Sequence, residues 1–237
     1  MGLEHDANVL PTKLTTERLV LRAAAPDSDE DCQQLITIME DSHAGSGGNS
    51  RVGVRTLDEV RYKHKVHGPK QKYCTASLAP RSIYWLIYLP NAAAESPVGE
   101  DLVGLVVLST RDEAPCPDMG YAVLNAHAGH GYAAEAGKSV LRYWQDTVGV
   151  KEIFCATLED NIKSQKCAER IGFVRGGTIQ VLFGRPPNYE RTTGAAYVLP
   201  GMEWSESTYI MPTVGWKQEE PDAQPGVLSE SKPPAIA

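Results

Sequence analysis

The residues best suited to chemistry lie in one short run, Gly129-His130-Gly131-Tyr132-Ala133-Ala134-Glu135-Ala136. It follows a strand-like segment and opens a helical one. Glycine at 129 and 131 lets the backbone turn tightly and approach a ligand closely. The N–H groups of a helix's first turn have no partner inside the helix, and the macrodipole adds positive potential there. These features favour an anion, a phosphate or diphosphate in particular. The same letters fit G-x-G-x-x-A, the dinucleotide fingerprint, with Glu159 or Asp160 as the acid after the next strand. A small-residue turn can also serve packing alone.

Other chemistries find no support. Cysteines stand at 32, 74, 116, 155 and 167, with no C-x-x-C pair, so neither a zinc knuckle nor a disulfide scaffold is expected. Cys32, Cys155 and Cys167 fall in apolar patterns and read as core thiols. No G-x-x-x-x-G-K-[ST], H-E-x-x-H or G-x-S-x-G occurs, and His127-x-x-His130 lacks a third ligand, so no metal site is expected.

Composition narrows the class further. With 23 Lys and Arg against 30 Asp and Glu, the formal charge of the 237 residues is −7, which argues against a general nucleic-acid partner. No run of 18 apolar residues is present, and the N-terminus lacks a basic segment followed by an apolar one, so no membrane span or signal peptide is expected. Reduced thiols and this N-terminus point to a cytoplasmic protein.

The elements that must position the glycine turn can be read from periodicity. Arg18–Arg22 alternates as a strand, and Pro26-Asp27-Ser28 opens a helix striped by Cys32, Leu35, Ile36 and Met39. Residues 57–67 suit a helix whose basic run, with Lys70 beyond it, reads as a solvated face. Strands are expected at 82–88, 102–108 and 119–124, a helix at 132–147, and a strand at 153–158. A short helix at 163–171 is stopped by Gly172, and strand-like segments follow at 173–182 and 204–211. The order β-α-α-β-β-β-α-β-α-β-β predicts an α/β or α+β domain with one mixed sheet. A meander before the turn and too few β-α units after it weigh against a dinucleotide-binding domain.

A second motif completes the pattern. Asn161-Ile162-Lys163-Ser164 and Ala168-Glu169-Arg170-Ile171-Gly172-Phe173 follow the turn, and Thr16-Glu17-Arg18-Leu19-Val20-Leu21-Arg22 precedes it. Together with Met119–Glu135 these segments resemble the GNAT N-acetyltransferases, whose acetyl-CoA motif is Gln/Arg-x-x-Gly-x-Gly/Ala. Within that superfamily they resemble the branch of the ribosomal-protein N-terminal acetyltransferases. The resemblance covers about 14–213, leaving a lead-in at 1–13 and a proline-rich tail at 214–237 that is expected to be disordered.

The resemblance implies a GNAT fold: a mixed, mostly antiparallel sheet flanked by helices, with acetyl-CoA in a V-shaped cleft between two splayed strands. It implies that Tyr121, Ala122 and Val123 offer backbone groups to the pantetheine arm. The N–H groups of Gly129, His130, Gly131, Tyr132 and Ala133 would hold the diphosphate. Asn161 would bind the pantetheine region through its side-chain amide, and Ser164 matches the position of a hydroxyl that protonates the departing thiolate. The activity implied is acetyl transfer to an amine, either a protein N-terminus or a small molecule, by direct attack and without a covalent enzyme intermediate.

The sequence departs from the family pattern at two positions. Ala126 replaces the usual Gln or Arg, which predicts weaker diphosphate binding rather than loss of the site. Ala168 stands where many members carry an acidic tyrosine, leaving Ser164 or water as the acid. For the base the chain offers Asp118, His127 and His130, with Asp118 preferred. Two other readings remain open: a CoA-binding regulatory protein without turnover, and a nucleotide-dependent oxidoreductase. Acceptor choice falls to the variable segments 41–79, 89–101 and 183–203, which would suit a lid or an oligomer contact such as a homodimer.

Overall fold

The structure is a computed structural model, which describes residues 11–45, 54–67, 84–90, 102–110, 114–185 and 188–211. Its frame is a mixed sheet of nine strands in the order β1-β2-β3-β4-β5-β6-β8-β7-β9. A short β1 (Lys13–Thr15) pairs antiparallel with β2 (Val20–Ala23), which pairs with β3 (Tyr84–Tyr88). The antiparallel run continues through β4 (Leu102–Ser109) to β5 (Asp118–Val123). Every residue of β3 is buried, as a strand covered on both faces requires.

The alternation of β-strand side chains assigns those two faces. Trp85 and Ile87 point to the side carrying α3 (Tyr132–Tyr143) and α4 (Ile162–Ile171), and join Leu21, Val106 and Met119 there. Tyr84, Leu86 and Tyr88 point to the opposite side, against α1 (Asp29–Gly45) and α2 (Leu57–His67). The apolar stripe of α1 is met by this second cluster, with Cys32, Leu35, Ile36 and Ile38 buried. Ser28 rather than Asp27 caps the helix, its hydroxyl accepting the Asp31 N–H at 3.2 Å. Thr56 and Glu59 form a capping box on α2, the Thr56 hydroxyl accepting from the Glu59 N–H while the Glu59 carboxylate accepts from the Thr56 N–H.

Arg22 locks α1 to the sheet. Its guanidinium donates to both Asp31 carboxylate oxygens, at 2.7 and 2.6 Å, and to the Tyr88 hydroxyl at 3.0 Å. The Asp31 side chain is 4% exposed, so this pair is largely shielded from water. From the exposed side of α2, Arg61 pairs with Asp29 of α1.

The second half of the sheet is built from β6 (Phe154–Leu158), β8 (Asn188–Val198), β7 (Val174–Arg185) and β9 (Ser207–Met211). The strand β8 lies between β6 and β7, where the sequence suggested a variable segment at 183–203. Its run Glu190-Arg191-Thr192-Thr193 is polar and masks the alternation, whereas Ala195, Ala196, Tyr197 and Val198 are buried. The expected last strand starts later, at Ser207, because Trp204 packs on Phe154 at a ring distance of 5.1 Å and donates to the Thr178 carbonyl. The helix expected at 132–147 ends at Tyr143, and Trp144–Val148 follows as a π turn closed by Gly149 at φ 81°. Among the described residues no helix is long and apolar enough to cross a membrane. Lys70, Cys74 and the tail at 214–237 lie outside the described residues.

Candidate active site

Two independent features converge at the centre of the sheet. The first is the glycine turn. After β5 the chain makes a 3-10 turn over Asn125–His127, anchored to α1 by Asp41, whose carboxylate accepts the Asn125 N–H. Gly129 and Gly131 then adopt φ 85° and 83°, in the left-handed region that glycine enters freely. Gly131 is the N-cap of α3 and supplies no side chain to cap it. The first N–H to turn back is that of Glu135, bonded to the Gly131 carbonyl at 3.1 Å. From Gly129 to Ala134 the N–H groups find no protein acceptor among the described residues. A cluster of free donors at the positive end of a helix of this length is the cradle an anion requires. A Cβ at Gly129 would meet nothing within 4 Å, so the turn is open as well as donor-rich.

The second feature is a break in the sheet. The strands β5 and β6 run parallel and pair at one register position, Asp118 with Phe154. Beyond it β5 continues with β4 while β6 continues with β8. The edge of β5 from Met119 to Val123 that faces β6 therefore has no strand partner among the described residues. This opens a slot lined by backbone, with the glycine turn at the end of β5. An extended chain carrying amide groups could add to that edge as a further strand does. The arrangement fits an acyl carrier built as a diphosphate followed by an amide-bearing arm, which is the architecture of acetyl-CoA.

The far wall of the slot is the first turn of α4. Asn161 is its N-cap and accepts the Ser164 N–H at 3.1 Å through its side-chain oxygen. With that oxygen committed to the cap, the Asn161 NH2 is the part of the side chain left to donate. Ser164 is partly buried and faces Tyr121 of β5. The Tyr121 hydroxyl donates to the Ser164 carbonyl at 2.7 Å and lies 3.2 Å from the Ser164 hydroxyl. Burial pushes the Tyr121 phenol far above its ordinary range, the neighbouring Cys155 and Cys167 push it further, and the bond to Ser164 only tempers the effect. The phenol therefore stays protonated. Sequence reasoning assigned only the backbone of Tyr121 and missed this side chain. The signal available was its place on a strand, two residues from Met119 and Val123 on the same face.

Ala168 is wholly buried among the residues that join α3 and α4, so no tyrosine ring could occupy that position without disrupting the core. The described thiols are held protonated by their apolar settings. Burial raises Cys155 well above its ordinary value, Cys116 to about 12 and Cys167 to about 11. Cys32 is raised by burial too. Cys167 departs from the expectation in one respect: it is partly exposed, at the edge of the core rather than inside it.

The structure brings Tyr121, Ala122, Val123, Asn161 and Ser164 to the slot and Gly129 to Ala133 to its end. Asp118 is buried at the closed end, in the pairing that joins β5 to β6. His130 is exposed and stacks on Tyr132 at 5.4 Å, its Nδ1 donating towards the Ala128 carbonyl at 3.1 Å. His127 is tilted against the same ring at 6.4 Å.

A family model for the acetyltransferase (GNAT) domain matches residues 18–174, and the chain belongs to that family. Solved structures of like fold agree. A GNAT-family acetyltransferase from Bacillus anthracis is 20% identical, covers 79% of this chain and 97% of its own, and superposes with a TM-score of 0.53. A proposed ribosomal-protein-serine acetyltransferase from Vibrio cholerae is 16% identical over 79% of this chain and 96% of its own, at a TM-score of 0.51. The microcin C7 self-immunity acetyltransferase, solved with acetyl-CoA and AMP, is 14% identical over 77% and 92%, at 0.50. The expected mixed sheet with flanking helices and a splay between two central strands is thus the observed fold.

Proposed function

We propose that this chain is an acetyl-CoA-dependent N-acetyltransferase acting on an amine, a protein N-terminus or a small molecule, by direct attack on the thioester. The observation that carries the reading is the alignment of free N–H groups at Gly129–Ala133 with the unpaired edge of β5. It is supported by family membership and by a solved relative of like fold that holds acetyl-CoA.

Acetyl-CoA supplies an activated acyl group and a good leaving sulfur. The chain's own residues do the rest. The turn binds the diphosphate, and the backbone of Tyr121, Ala122 and Val123 pairs with the amide-bearing arm. The Asn161 NH2 donates to the same arm. As the nitrogen–carbon bond forms and the carbon–sulfur bond breaks, the Ser164 hydroxyl donates a proton to the sulfur and regains one from solvent water. Asp118 is assigned to take up the amine's proton, and Asp118→Asn with an unchanged kcat would remove that assignment. The raised thiol pKa values agree with a route that needs no cysteine nucleophile.

Isothermal titration with acetyl-CoA, with NAD(P)H as the parallel control, followed by thiol release across a panel of amines and peptides, tests the reading. Acetyl-CoA binding with amine-dependent release is the expected result. Binding without release would select a CoA-binding protein without turnover, a reading that Ala126 and Ala168 favour. Binding of NAD(P)H alone would replace both with an oxidoreductase.

A further inference from the structure

Thr16 and Arg18 belong to a motif whose purpose the site above leaves unexplained. Both reach across the molecule to α3. The Glu135 carboxylate, in the first turn of α3, accepts from the Thr16 hydroxyl at 2.5 Å, from the Arg18 N–H at 3.0 Å and from Arg18 Nε at 2.7 Å. A second guanidinium nitrogen lies 2.6 Å from the same carboxylate. The third, Nη1, donates to the main-chain carbonyl of His130 at 3.2 Å. The guanidinium also covers the Tyr132 ring, 4.8 Å from its centroid, and Tyr132 in turn stacks on His130.

We propose that Arg18 is the positioning residue of the diphosphate cradle, holding the turn in the orientation that presents its N–H groups. This rests on the acetyl-CoA reading above. In a trans peptide the carbonyl and the following N–H point in opposite directions. By fixing the His130 carbonyl on its own side, Arg18 turns the Gly131 N–H to the other side, away from the guanidinium. Gly131 has no side chain to impose that orientation and is free to rotate without an external hold. Arg18 also offsets a second problem. Glu135 is a negative charge in the first turn of the helix that receives the diphosphate, and the two would repel each other in the absence of a cation. The planar fork of arginine meets the carboxylate and the carbonyl through separate nitrogens, a geometry that the single nitrogen of a lysine does not reproduce.

The test uses two probes on the full chain: acetyl-CoA, and S-acetylpantetheine, which carries the arm without the diphosphate. Affinities come from calorimetry for the first and NMR titration for the second. Arg18→Gln is expected to weaken acetyl-CoA binding by roughly tenfold, the scale of one charge-assisted hydrogen bond, with S-acetylpantetheine affinity unchanged. Arg18→Lys, which keeps the charge and loses the fork, should fall between and serves as the readout if Arg18→Gln does not fold. Unchanged acetyl-CoA affinity in both variants would overturn the proposal, as would an equal loss on both probes, which would mark a general effect on the fold. A wild-type chain that binds no acetyl-CoA would instead overturn the function proposed above.

Discussion

The Tyr121 hydroxyl lies 2.7 Å from the main-chain oxygen of Ser164 and joins β5 to the first turn of α4 across the splay. The Ser164 hydroxyl lies 3.2 Å from the phenol oxygen, and either hydroxyl can donate in that contact. Ser164→Ala should lower kcat by about 100-fold, the low end of what a general acid contributes, and leave acetyl-CoA affinity near wild type. Tyr121→Phe should cost about 1 kcal/mol of stability for the hydrogen bond lost between β5 and α4, and lower kcat less than Ser164→Ala does. Thermal melting and amine-dependent thiol release measure the two effects separately.

The cap and the ligand contact of Asn161 can be separated by chemistry. Asn161→Asp keeps an oxygen for the Ser164 N–H but loses the NH2. Asn161→Ala loses both. The alanine variant should lose about 1 kcal/mol of stability, a usual cost for an N-cap. The aspartate variant should melt near wild type yet bind acetyl-CoA more weakly. Equal affinity in the aspartate variant and the wild type would confine Asn161 to capping.

Gly131 provides a backbone test of the turn. At φ 83° an alanine is expected to cost about 1–2 kcal/mol. Because the nearest neighbour of an added Cβ is Arg18 at 3.8 Å, the cost is conformational rather than steric. Gly131→Ala should therefore lower stability by that amount, as read by thermal melting, and weaken acetyl-CoA binding by up to about 5–30-fold where the free turn relaxes to a negative φ instead, as read by calorimetry.

Two carboxylates set the acid limb of stability. Burial pushes Asp31 and Glu135 up, but hydrogen bonds from Arg22 and the Ala25 N–H in one case, and from Thr16 and Arg18 in the other, outweigh it and hold both below their ordinary values. A lowered folded pKa means that the unfolded chain binds the proton more readily. The stabilisation is thus complete above the ordinary carboxylate pKa of about 4 and is lost as pH falls through the lower folded values. Denaturant melts from pH 7 down to pH 3 should show this loss. Asp31→Asn should be less stable at pH 7 and show a flatter acid limb. An unaltered pH slope in that variant would remove Asp31 from the account.

The thiols should be silent. With Cys167 raised to about 11 by burial, its thiolate fraction near neutral pH is very small. Alkylation of Cys167 by iodoacetamide, read by peptide mass mapping, should be slow at pH 7.5 despite its partial exposure, and Cys167→Ser should retain the full kcat in the thiol-release assay.

Some of this was legible in the chain as written. The glycines at 129 and 131, the helix stop at Gly172 and the alternation of Arg18–Arg22 act over a few residues, and short patterns encode them directly. The strand β8 was not legible, because its polar first half hides the pattern and only the neighbours β6 and β7 define it as an interior strand. Nor could spacing reveal that Tyr121 meets Ser164, 43 positions away, or that Arg18 meets His130, 112 positions away. The sequence by itself determined the chemical kinds present: a glycine turn opening a helix, a hydroxyl, a side-chain amide and thiols in apolar patterns. Tertiary structure decided which of them share a site. It did so because the splay between β5 and β6 arises from where each strand finds its other partner, and that depends on side chains packed from distant parts of the chain.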